Sequence, residues 1–376
     1  MKVQVLQESL ARGLGVVSRA VAARSTLPIT ANVLVQTDRG RLKLAATDLD
    51  IAISYWVGAK IDSEGATTVP SRLLTDFVAS LPPGTVQIEM PERGRQVKLA
   101  CARIESTVHC MDAEDFPRIA SVNDGPVFTL DPKALRKAID LVEFAAASDD
   151  SRPVLTGIHV KTEDATLTLA SADGFRLAVA KLHLDPAPSE QIEMIVPARA
   201  LRELGRLVGD NPEGVEMRVN AARTQVLFAI GNEIELVAQL IQGTFPNYSQ
   251  LIPTEHTTRC VVHVDEFKRG TRSAAIFARD GSGIIRLQMQ PGKGMPGELK
   301  VSAKAEEVGD NEGKIDAEVV GDEARIAFNS RYLQDVLNAL SGDVALELTT
   351  PSAQGVFRPV GDADYVHVVM PMFVQW

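Results

Sequence analysis

The chain of 376 residues has few aromatic side chains, few cysteines and no excess of positive charge. Aromatic residues make up 5% of it, which argues against a surface on which single-stranded bases stack. The cysteines Cys101, Cys110 and Cys260 have neither zinc-ligand spacing nor the density of a disulfide framework, so we expect a reducing compartment and no bound metal. The formal net charge of −10 argues against a surface that binds nucleic acid over its whole extent.

Long apolar segments are missing as well. Residues 1–5 alternate between apolar and polar side chains, which is typical of an amphipathic strand rather than of a signal peptide. No apolar run reaches the length of a membrane-spanning helix. We therefore expect a cytoplasmic protein with no membrane partner.

One sequence phrase occurs three times, at intervals of about a third of the chain. Each copy has a proline or asparagine, an arginine two residues later, and then apolar residues at helical spacing. The copies are VPSRLLTDFVASL from Val69, VPARALRELGRLV from Val196 and FNSRYLQDVLNAL from Phe328. A repeat of this length indicates a domain present three times rather than a solenoid, whose periods are much shorter.

Similar elements surround each copy of the phrase. Earlier helical stretches lie at residues 7–21, 131–147 and 264–279. Alternating strands follow, for example at residues 41–54, 166–180 and 214–240. Similar segments close the copies, at residues 115–117, 244–248 and 369–372. The pattern predicts an α+β fold of three tandem domains, each with two helices packed on antiparallel sheet, at residues 1–120, 127–252 and 258–376.

The predicted helices are positively charged although the chain as a whole is negative. Within one of them Arg199, Arg202 and Arg206 fall at i, i+3 and i+7, along one helix face. Such a face suits a phosphate backbone, which cations bind without reading sequence. The alternative is that helix surfaces simply favour Arg and Lys. The helical cations that we expect to contact DNA are Arg72, Arg136, Lys137, Arg199, Arg202, Arg206, Lys268 and Arg272.

Two motifs suggest chemistry and favour a structural interpretation. Residues 292–297 read GxGxxG, but Pro296 and the alternation that follows indicate a hairpin rather than a nucleotide-binding helix start. Asp48 and Asp50 could hold a metal, yet they are better explained as a turn between strands. We find no catalytic grouping of Ser, His or Cys, and we predict no enzyme active site and no cofactor.

Several motifs together resemble one known family over the whole chain. They are RSTLPI at 24–29, ATDLD at 46–50, ADGFRLA at 172–178, FPNY at 245–248, YLQDVL at 332–337 and VMPM at 369–372. In this order and spacing they are similar to the bacterial sliding clamps, the beta subunits of DNA polymerase III. The resemblance implies that two chains join head to tail into a ring of six domains, whose helices line a hole for double-stranded DNA. It further implies a non-catalytic subunit that tethers the replicative polymerase, the clamp loader and repair proteins through short peptides.

The resemblance also implies site residues. Matched residue by residue, the pocket for partner peptides comprises Leu155, Ala172, Gly174, Phe175, Arg176, Leu177, Pro246, Leu251, Val368 and Met370. The family's DNA contacts fall on Arg24, Arg72 and Arg152. The homodimer contact is expected to involve Arg103, Ser106 and Val108 on an edge strand, with Ile276 and Phe277 at a helix end.

The chain departs from the family pattern in three places, and other functions stay open. Pro153-Val154 stand where the family often has aromatic residues, residues 372–376 form a longer and more apolar ending than usual, and residues 292–297 form an insertion. One alternative is an enzyme acting on DNA, with Asp48, Asp50 and Asp173 holding a metal. Another is a protein-interaction scaffold that never meets DNA, and a third is a divergent second clamp.

Overall fold

The computed structural model describes residues 1–22, 27–90, 95–149, 151–188, 190–209, 213–279, 282–292, 296–307 and 309–376. Its internal contacts divide the chain into two compact units. Unit 1 contains Met1–Arg136 and Arg202–Leu240, and unit 2 contains Lys137–Leu201 and Ile241–Trp376. The division passes through the second predicted domain, because strands of that domain continue sheets of both neighbouring copies.

The helices occur where the repeated phrase and the earlier helical stretches predict them. They are α1 (Gln7–Val17), α2 (Ser71–Ser80), α3 (Pro132–Val142), α4 (Ala198–Val208), α5 (Val264–Arg279) and α6 (Ser330–Ala339). The prediction for residues 264–279 is confirmed. Those for 7–21 and 131–147 were too long, since α1 and α3 each give way to a 3₁₀ turn. After α1, the Ser18 hydroxyl donates to the Gly15 carbonyl (3.1 Å), a local bond that competes with the helical one.

The strands in chain order are β1 (Lys2–Leu6), β2 (Asn32–Asp38), β3 (Arg41–Thr47), β4 (Ile51–Val57), β5 (Ala59–Ser63), β6 (Ala66–Pro70), β7 (Thr85–Glu89), β8 (Gln96–Cys101), β9 (Ile104–His109), β10 (Val127–Leu130), β11 (Gly157–Glu163), β12 (Thr166–Ala172), β13 (Arg176–His183), β14 (Glu193–Pro197), β15 (Val215–Val219), β16 (Gln225–Ile230), β17 (Ile234–Gln239), β18 (Thr258–His263), β19 (Ile284–Gln290), β20 (Gly297–Ala305), β21 (Gly309–Gly321), β22 (Ala324–Asn329), β23 (Asp343–Leu348), β24 (Gly355–Pro359) and β25 (Tyr365–Val369).

Unit 1 has two antiparallel sheets. One has the order β5-β1-β7-β8-β9, and the other has the order β10-β15-β16-β17-β4-β3-β2-β6. In the second sheet, β17 pairs with β4, with Ala238 opposite Ile51. A strand from the second repeat therefore completes a sheet of the first.

Unit 2 repeats this arrangement with the next pair of copies. Its strands follow the order β14-β11-β12-β13-β25-β24-β23-β18-β21-β20-β19-β22. Here β25 pairs with β13, with Val368 opposite Leu177. The long strand β21 pairs with β20 along residues 309–317 and with β18 along residues 318–321.

Helices pack on the sheets through apolar faces, as the pattern predicts. In unit 1, α1 contacts α2 and β4. Gly13 allows this close approach, since a Cβ there would lie 2.8 Å from the Leu44 side chain. In unit 2, α5 contacts α6, β20 and β21, with Phe267 and Leu333 fully buried. Among the residues described, no helix is long and apolar enough to cross a membrane.

Candidate functional site

A tight turn between β12 and β13 forms the centre of the candidate peptide groove in unit 2. The carboxylate of Asp173 accepts hydrogen bonds from the backbone N–H groups of Phe175 (2.9 Å) and Arg176 (3.0 Å). Gly174 has φ +92°, a left-handed conformation that favours glycine. The turn leaves Phe175 56% exposed, which is unusual for so large an apolar side chain.

The end of β25 lies beside this turn. The Met370 N–H donates to the Phe175 carbonyl (2.8 Å), so the two residues are neighbours across the strands. Met370 is 46% exposed. Two exposed apolar side chains are therefore adjacent at the groove.

Buried residues form the floor of the groove. Leu177 and Val368 belong to one apolar cluster, on which Tyr248 and Ala172 pack. Leu155 belongs to a second cluster, which also contacts Tyr248 and Ala172. Pro246 and Leu251 lie exposed on the segment that contains Tyr248. The structure thus brings the predicted pocket residues together in one unit, as exposed apolar side chains beside two buried apolar clusters.

Arg176, a predicted pocket residue, is buried and is not exposed at the edge of the candidate groove. It is 7% exposed, and its guanidinium donates to the carboxylates of Asp173 (2.9 Å) and Asp335 (2.6 Å). It also donates to the Phe144 carbonyl (2.6 Å) and lies 4.5 Å from the centre of the Tyr332 ring. Arg176 therefore connects the turn, through Asp173, to α6, through Asp335. The sequence did not predict this contact.

A buried histidine lies under the same strands and was missed from the sequence. His367 is fully buried, and its Nε2 has no hydrogen-bond partner among the described residues. Its Nδ1 lies 3.4 Å from the Tyr365 hydroxyl, which donates to the Leu141 carbonyl (3.0 Å). Burial lowers the pKa of His367 to about 3, so the ring is neutral.

Arg152, predicted to contact DNA, lies at the groove. Its guanidinium donates to the Asp173 carbonyl (2.8 Å), on the turn that carries Phe175. The structure therefore places one cation of the predicted DNA set beside the peptide groove. The sequence carries no signal for this, because the contact spans two loops.

The remaining cations are exposed to different degrees. Arg24 lies outside the described residues. Arg72 is almost fully exposed on α2 and lies 3.8 Å from Asp76. Arg136 and Arg199 are exposed, and Arg202 is half-buried. Arg272 is exposed on α5.

Several predicted cations are partly neutralised by acidic side chains. Lys137 lies 2.7 Å from Asp362, and this contact lowers the pKa of that carboxyl. Arg206 lies 2.7 Å from Glu203, a largely buried carboxylate that also contacts Arg19 at 3.3 Å. The positive charge of the helices is thus smaller than the sequence alone indicates.

Four of the five predicted dimer residues have exposed or half-buried side chains. Arg103 is exposed in the turn before β9, and Ser106 is half-buried on that strand. Val108 is 5% exposed, so its side chain belongs to the core of unit 1. On α5, Ile276 is 60% exposed and Phe277 is half-buried.

The two ambiguous motifs are structural. The carboxylate of Asp48 accepts from the N–H groups of Asp50 (3.1 Å) and Ile51 (2.9 Å), which confirms the turn. Residues 293–295 lie outside the described part. Gly297 begins β20, which pairs antiparallel with β19, so this motif leads into a strand and not into a helix.

Comparisons with known proteins agree with this architecture of repeated α+β domains. Three family models match in succession: the N-terminal domain of the DNA polymerase III beta subunit at residues 1–120, the central domain at 129–247 and the C-terminal domain at 249–373. The chain belongs to this family, the bacterial sliding clamps. Its fold class is confirmed, and sliding clamps are accessory processivity factors rather than enzymes.

Individual relatives match along the whole chain. The beta sliding clamp of Synechocystis sp. is 31% identical over 99% of both chains, and that of Staphylococcus aureus is 27% identical over 94% of both. The solved DNA polymerase sliding clamp of Bacillus subtilis is 25% identical, with a TM-score of 0.93 over 100% of both chains. A Pseudomonas aeruginosa sliding clamp, solved bound to griselimycin, is 28% identical with a TM-score of 0.91 over 100% of both.

Proposed function

We propose that two copies of this chain close head to tail into a ring of six clamp domains around double-stranded DNA. The ring tethers the replicative polymerase, the clamp loader and repair proteins, and it slides without sequence preference. The three domains are assigned to residues 1–120, 127–252 and 258–376. Because such a ring acts on the chromosome, we assign the protein to the bacterial cytoplasm. The observation that carries the proposal is a pair of open strand edges.

Strand pairing between neighbouring copies follows one rule. β4 pairs with β17, which is the last strand of the next copy. β13 pairs with β25, again the last strand of the next copy. Each copy therefore offers one edge to the copy that follows it.

At the two ends of the chain this rule leaves two strands without such a partner. One is the last strand of the first copy, and the other is the strand of the third copy that would pair with a following copy. Among the described residues, β9, the last strand of the first copy, pairs only with β8. β21, which corresponds to β4 and β13, pairs only with β20 along residues 309–317. Open edges hold unpaired N–H and C=O groups, which favour pairing with another strand. In the proposal β9 of one chain pairs with β21 of the other, and the ring closes because the contact occurs twice.

The flanking side chains suit this contact. α5 packs against β21, so exposed Ile276 and half-buried Phe277 lie on the element next to that open edge. Arg103 lies in the turn before β9, and Ser106 lies on β9 itself. Val108 contributes its backbone only, because its side chain is buried in its own unit.

The helical cations supply the contact to DNA in this proposal. Phosphate contacts of this kind depend on charge and salt rather than on sequence, which suits sliding. Partner proteins bind at the groove, where an apolar anchor fits between Phe175 and Met370 over Leu177 and Val368.

The experiment measures solution mass and retention on DNA. The purified chain should have the mass of two copies by light scattering. After loading it should stay on nicked circular plasmid and leave when the plasmid is linearised. Ile276→Asp should lower the mass to one copy, whereas Val360→Asp, equally a change at an exposed apolar residue of unit 2, should not.

Two outcomes would contradict the ring. Equal retention on circular and linear plasmid would mean that the DNA is not enclosed. Binding of partner peptides without any retention on DNA would favour the interaction scaffold instead.

A further inference from the structure

A cavity of about 420 Å³ lies in unit 1, between the segment of residues 113–119 and the sheet that contains β2, β3 and β6. Its floor is a row across these three strands, in which Gln36 pairs with Lys43 on one side and with Ala66 on the other. The volume is within the range of about 300–1,000 Å³ that is typical of ligand sites. The residues of this cavity belong neither to the predicted DNA contacts nor to the peptide groove.

The second repeat shows which side chains fill the same place in unit 2. There β11 pairs with β14 in the register in which β2 pairs with β6, so Leu34 corresponds to His159 and Ala66 to Glu193. The His159 Nε2 lies 2.9 Å from the Glu193 carboxylate. Both Leu34 and Ala66 line the cavity, and neither side chain can replace this polar pair. Unit 1 therefore has open space where unit 2 has a carboxylate.

Unit 1 also lacks an aromatic ring at this place. The segment over the cavity and its counterpart in unit 2 both contain Phe-Pro, at residues 116–117 and 245–246. Counted from this pair, Ile119 corresponds to Tyr248. The Tyr248 ring packs edge-on against the ring of His159, with the ring centres 5.9 Å apart. Half-buried Ile119 lines the cavity instead, and it is smaller than a tyrosine.

The charges that line the cavity favour an acidic ligand. The Lys43 ammonium lies 4.9 Å from the centre of the Trp56 ring, and it forms no ion pair within the described part of the chain. Arg118 is exposed at the cavity and forms no ion pair with any described residue. These two cations face one lining carboxylate, that of Glu114. A carboxylate from a ligand can therefore form charge-assisted hydrogen bonds with both cations.

We propose that this cavity binds a short segment of a partner protein in which an acidic residue is next to an aromatic one. The acidic side chain lies between Lys43 and Arg118 and takes the place that a glutamate has in unit 2. The aromatic ring packs on Leu34 and Ile119 and takes the place of the tyrosine.

Two acceptors at the cavity favour a peptide over a free aromatic acid. The Glu114 carboxylate and the side-chain carbonyl of Gln36 have no hydrogen-bond partner among the described residues. A peptide backbone supplies N–H donors for both, whereas a free aromatic acid has none. The site lies within one chain and apart from the groove at Phe175, so it depends neither on ring closure nor on that groove.

The test uses a tryptophan beside the cavity as the reporter. The chain has two tryptophans, so Trp376→Phe leaves Trp56 as the only one. This full-length variant is titrated with the acetylated and amidated peptide Gly-Glu-Phe-Gly, and the fluorescence is followed. We expect a saturable change, because the peptide carboxylate draws the Lys43 ammonium away from the Trp56 ring. The same peptide with Gln in place of Glu should bind about tenfold more weakly, since it loses a charge-assisted hydrogen bond.

Two further variants test the cavity itself. Arg118→Gln should weaken binding of the Glu-Phe peptide about tenfold. Lys98→Gln, which changes an exposed cation on the other sheet of unit 1, should leave the binding unchanged. The double variant Leu34→His with Ala66→Glu gives the cavity the polar pair of unit 2 and should abolish binding. Its melting temperature shows that it is folded.

Four results would overturn the proposal. The first is the absence of a saturable change, and the second is equal binding of the Glu and Gln peptides. The third is an equal loss of binding in Lys98→Gln and Arg118→Gln, which would mean that only diffuse charge attracts the peptide. The fourth is binding of phenylpropionate as tight as that of the peptide, which would mean that the site takes a free aromatic acid.

Discussion

The two turns that follow β3 and β12 have the same backbone and opposite surfaces. In unit 1, the Asp48 carboxylate accepts from the two N–H groups that follow the left-handed residue Leu49 (φ +84°). In unit 2, Asp173 does the same around Gly174 (φ +92°). The Gln239 N–H donates to the Asp50 carbonyl at 2.9 Å, just as Met370 donates to Phe175 at 2.8 Å. The positions can therefore be compared one by one.

The side chains at these positions differ in kind. Exposed Phe175 and Met370 correspond to Asp50 and Gln239. Beneath them the polarity is reversed, because buried Arg176 and His367 correspond to buried Ile51 and Leu236 by their strand pairing. One turn has a polar surface over an apolar interior, and the other has an apolar surface over a polar interior.

The linkers above the sheets differ in the same sense. Counted from the shared Phe-Pro of the two linkers (Phe116-Pro117 and Phe245-Pro246), Val122 corresponds to Leu251. Val122 is 1% exposed and packs on Leu227 and Val237, whereas Leu251 is 51% exposed. The comparison teaches that the groove results from side chains placed on a repeated backbone. Exchanging equivalent residues can test this directly.

Arg176→Ile gives unit 2 the residue of unit 1, and we expect the largest effect from it. Asp173 and Asp335 would lose the cation between them, at a cost of about 3 kcal/mol in the free energy of unfolding. Urea denaturation measures this loss. Lys161→Ile, at a half-exposed ion pair of the same unit, should change stability by less than about 0.5 kcal/mol. Equal effects of the two changes would contradict a positioning role for Arg176.

The double variant Phe175→Asp with Met370→Gln gives the groove the surface of the first turn. Binding of a peptide with Leu and Phe anchors should weaken by about 2 kcal/mol, roughly thirtyfold, because both apolar contacts are lost. Calorimetric titration measures the affinity, and the free energy of unfolding should stay the same since both residues are exposed. The reciprocal pair Asp50→Phe with Gln239→Met should leave peptide affinity unaltered. If the first variant bound the peptide with unchanged affinity, Phe175 and Met370 would not be part of the peptide site.

His367→Leu should remove a dependence of stability on pH. The unfolded chain binds a proton near pH 6.5, whereas the folded chain binds it only near pH 3, so lowering the pH between these values favours unfolding. The contribution is about 1.4 kcal/mol per pH unit, and it vanishes above pH 6.5. The stability difference between variant and wild type should therefore grow in favour of the variant from pH 7 to pH 5. A constant difference would mean that His367 is not held neutral.

The smallest effect concerns the left-handed residues of the two turns. Leu49→Gly should raise stability by about 0.5 kcal/mol, because relief of the left-handed strain exceeds the added entropy of the unfolded chain. Gly174→Ala should lower it by about 1 kcal/mol. Melting temperatures check both signs, and a destabilised Leu49→Gly would show that the Leu49 side chain contributes packing.

The sequence predicted what repeats and local patterns encode. The tripled phrase predicted the α+β domains, and the helix at 264–279 has the expected limits. The family motifs brought together the groove residues from Leu155 to Met370. Contacts between distant residues could not be predicted: Arg176 and Asp335 are 159 residues apart, and Lys137 and Asp362 are 225 apart. Neither pair has a periodic signal, because a tertiary contact leaves no spacing rule in the chain.

The open edge of β21 also bears on how the protein stays soluble before it finds its partner. Along this strand Ile315 and Ala317 face the core, while Asp310, Glu312, Lys314 and Asp316 are exposed. A flat apolar edge of this length would invite aggregation, and charges on the outer face oppose the stacking of sheets from different molecules. In the proposed ring, these charges protect a chain that has not yet met its partner from forming fibrils, and they leave the edge available for β9 of the other chain.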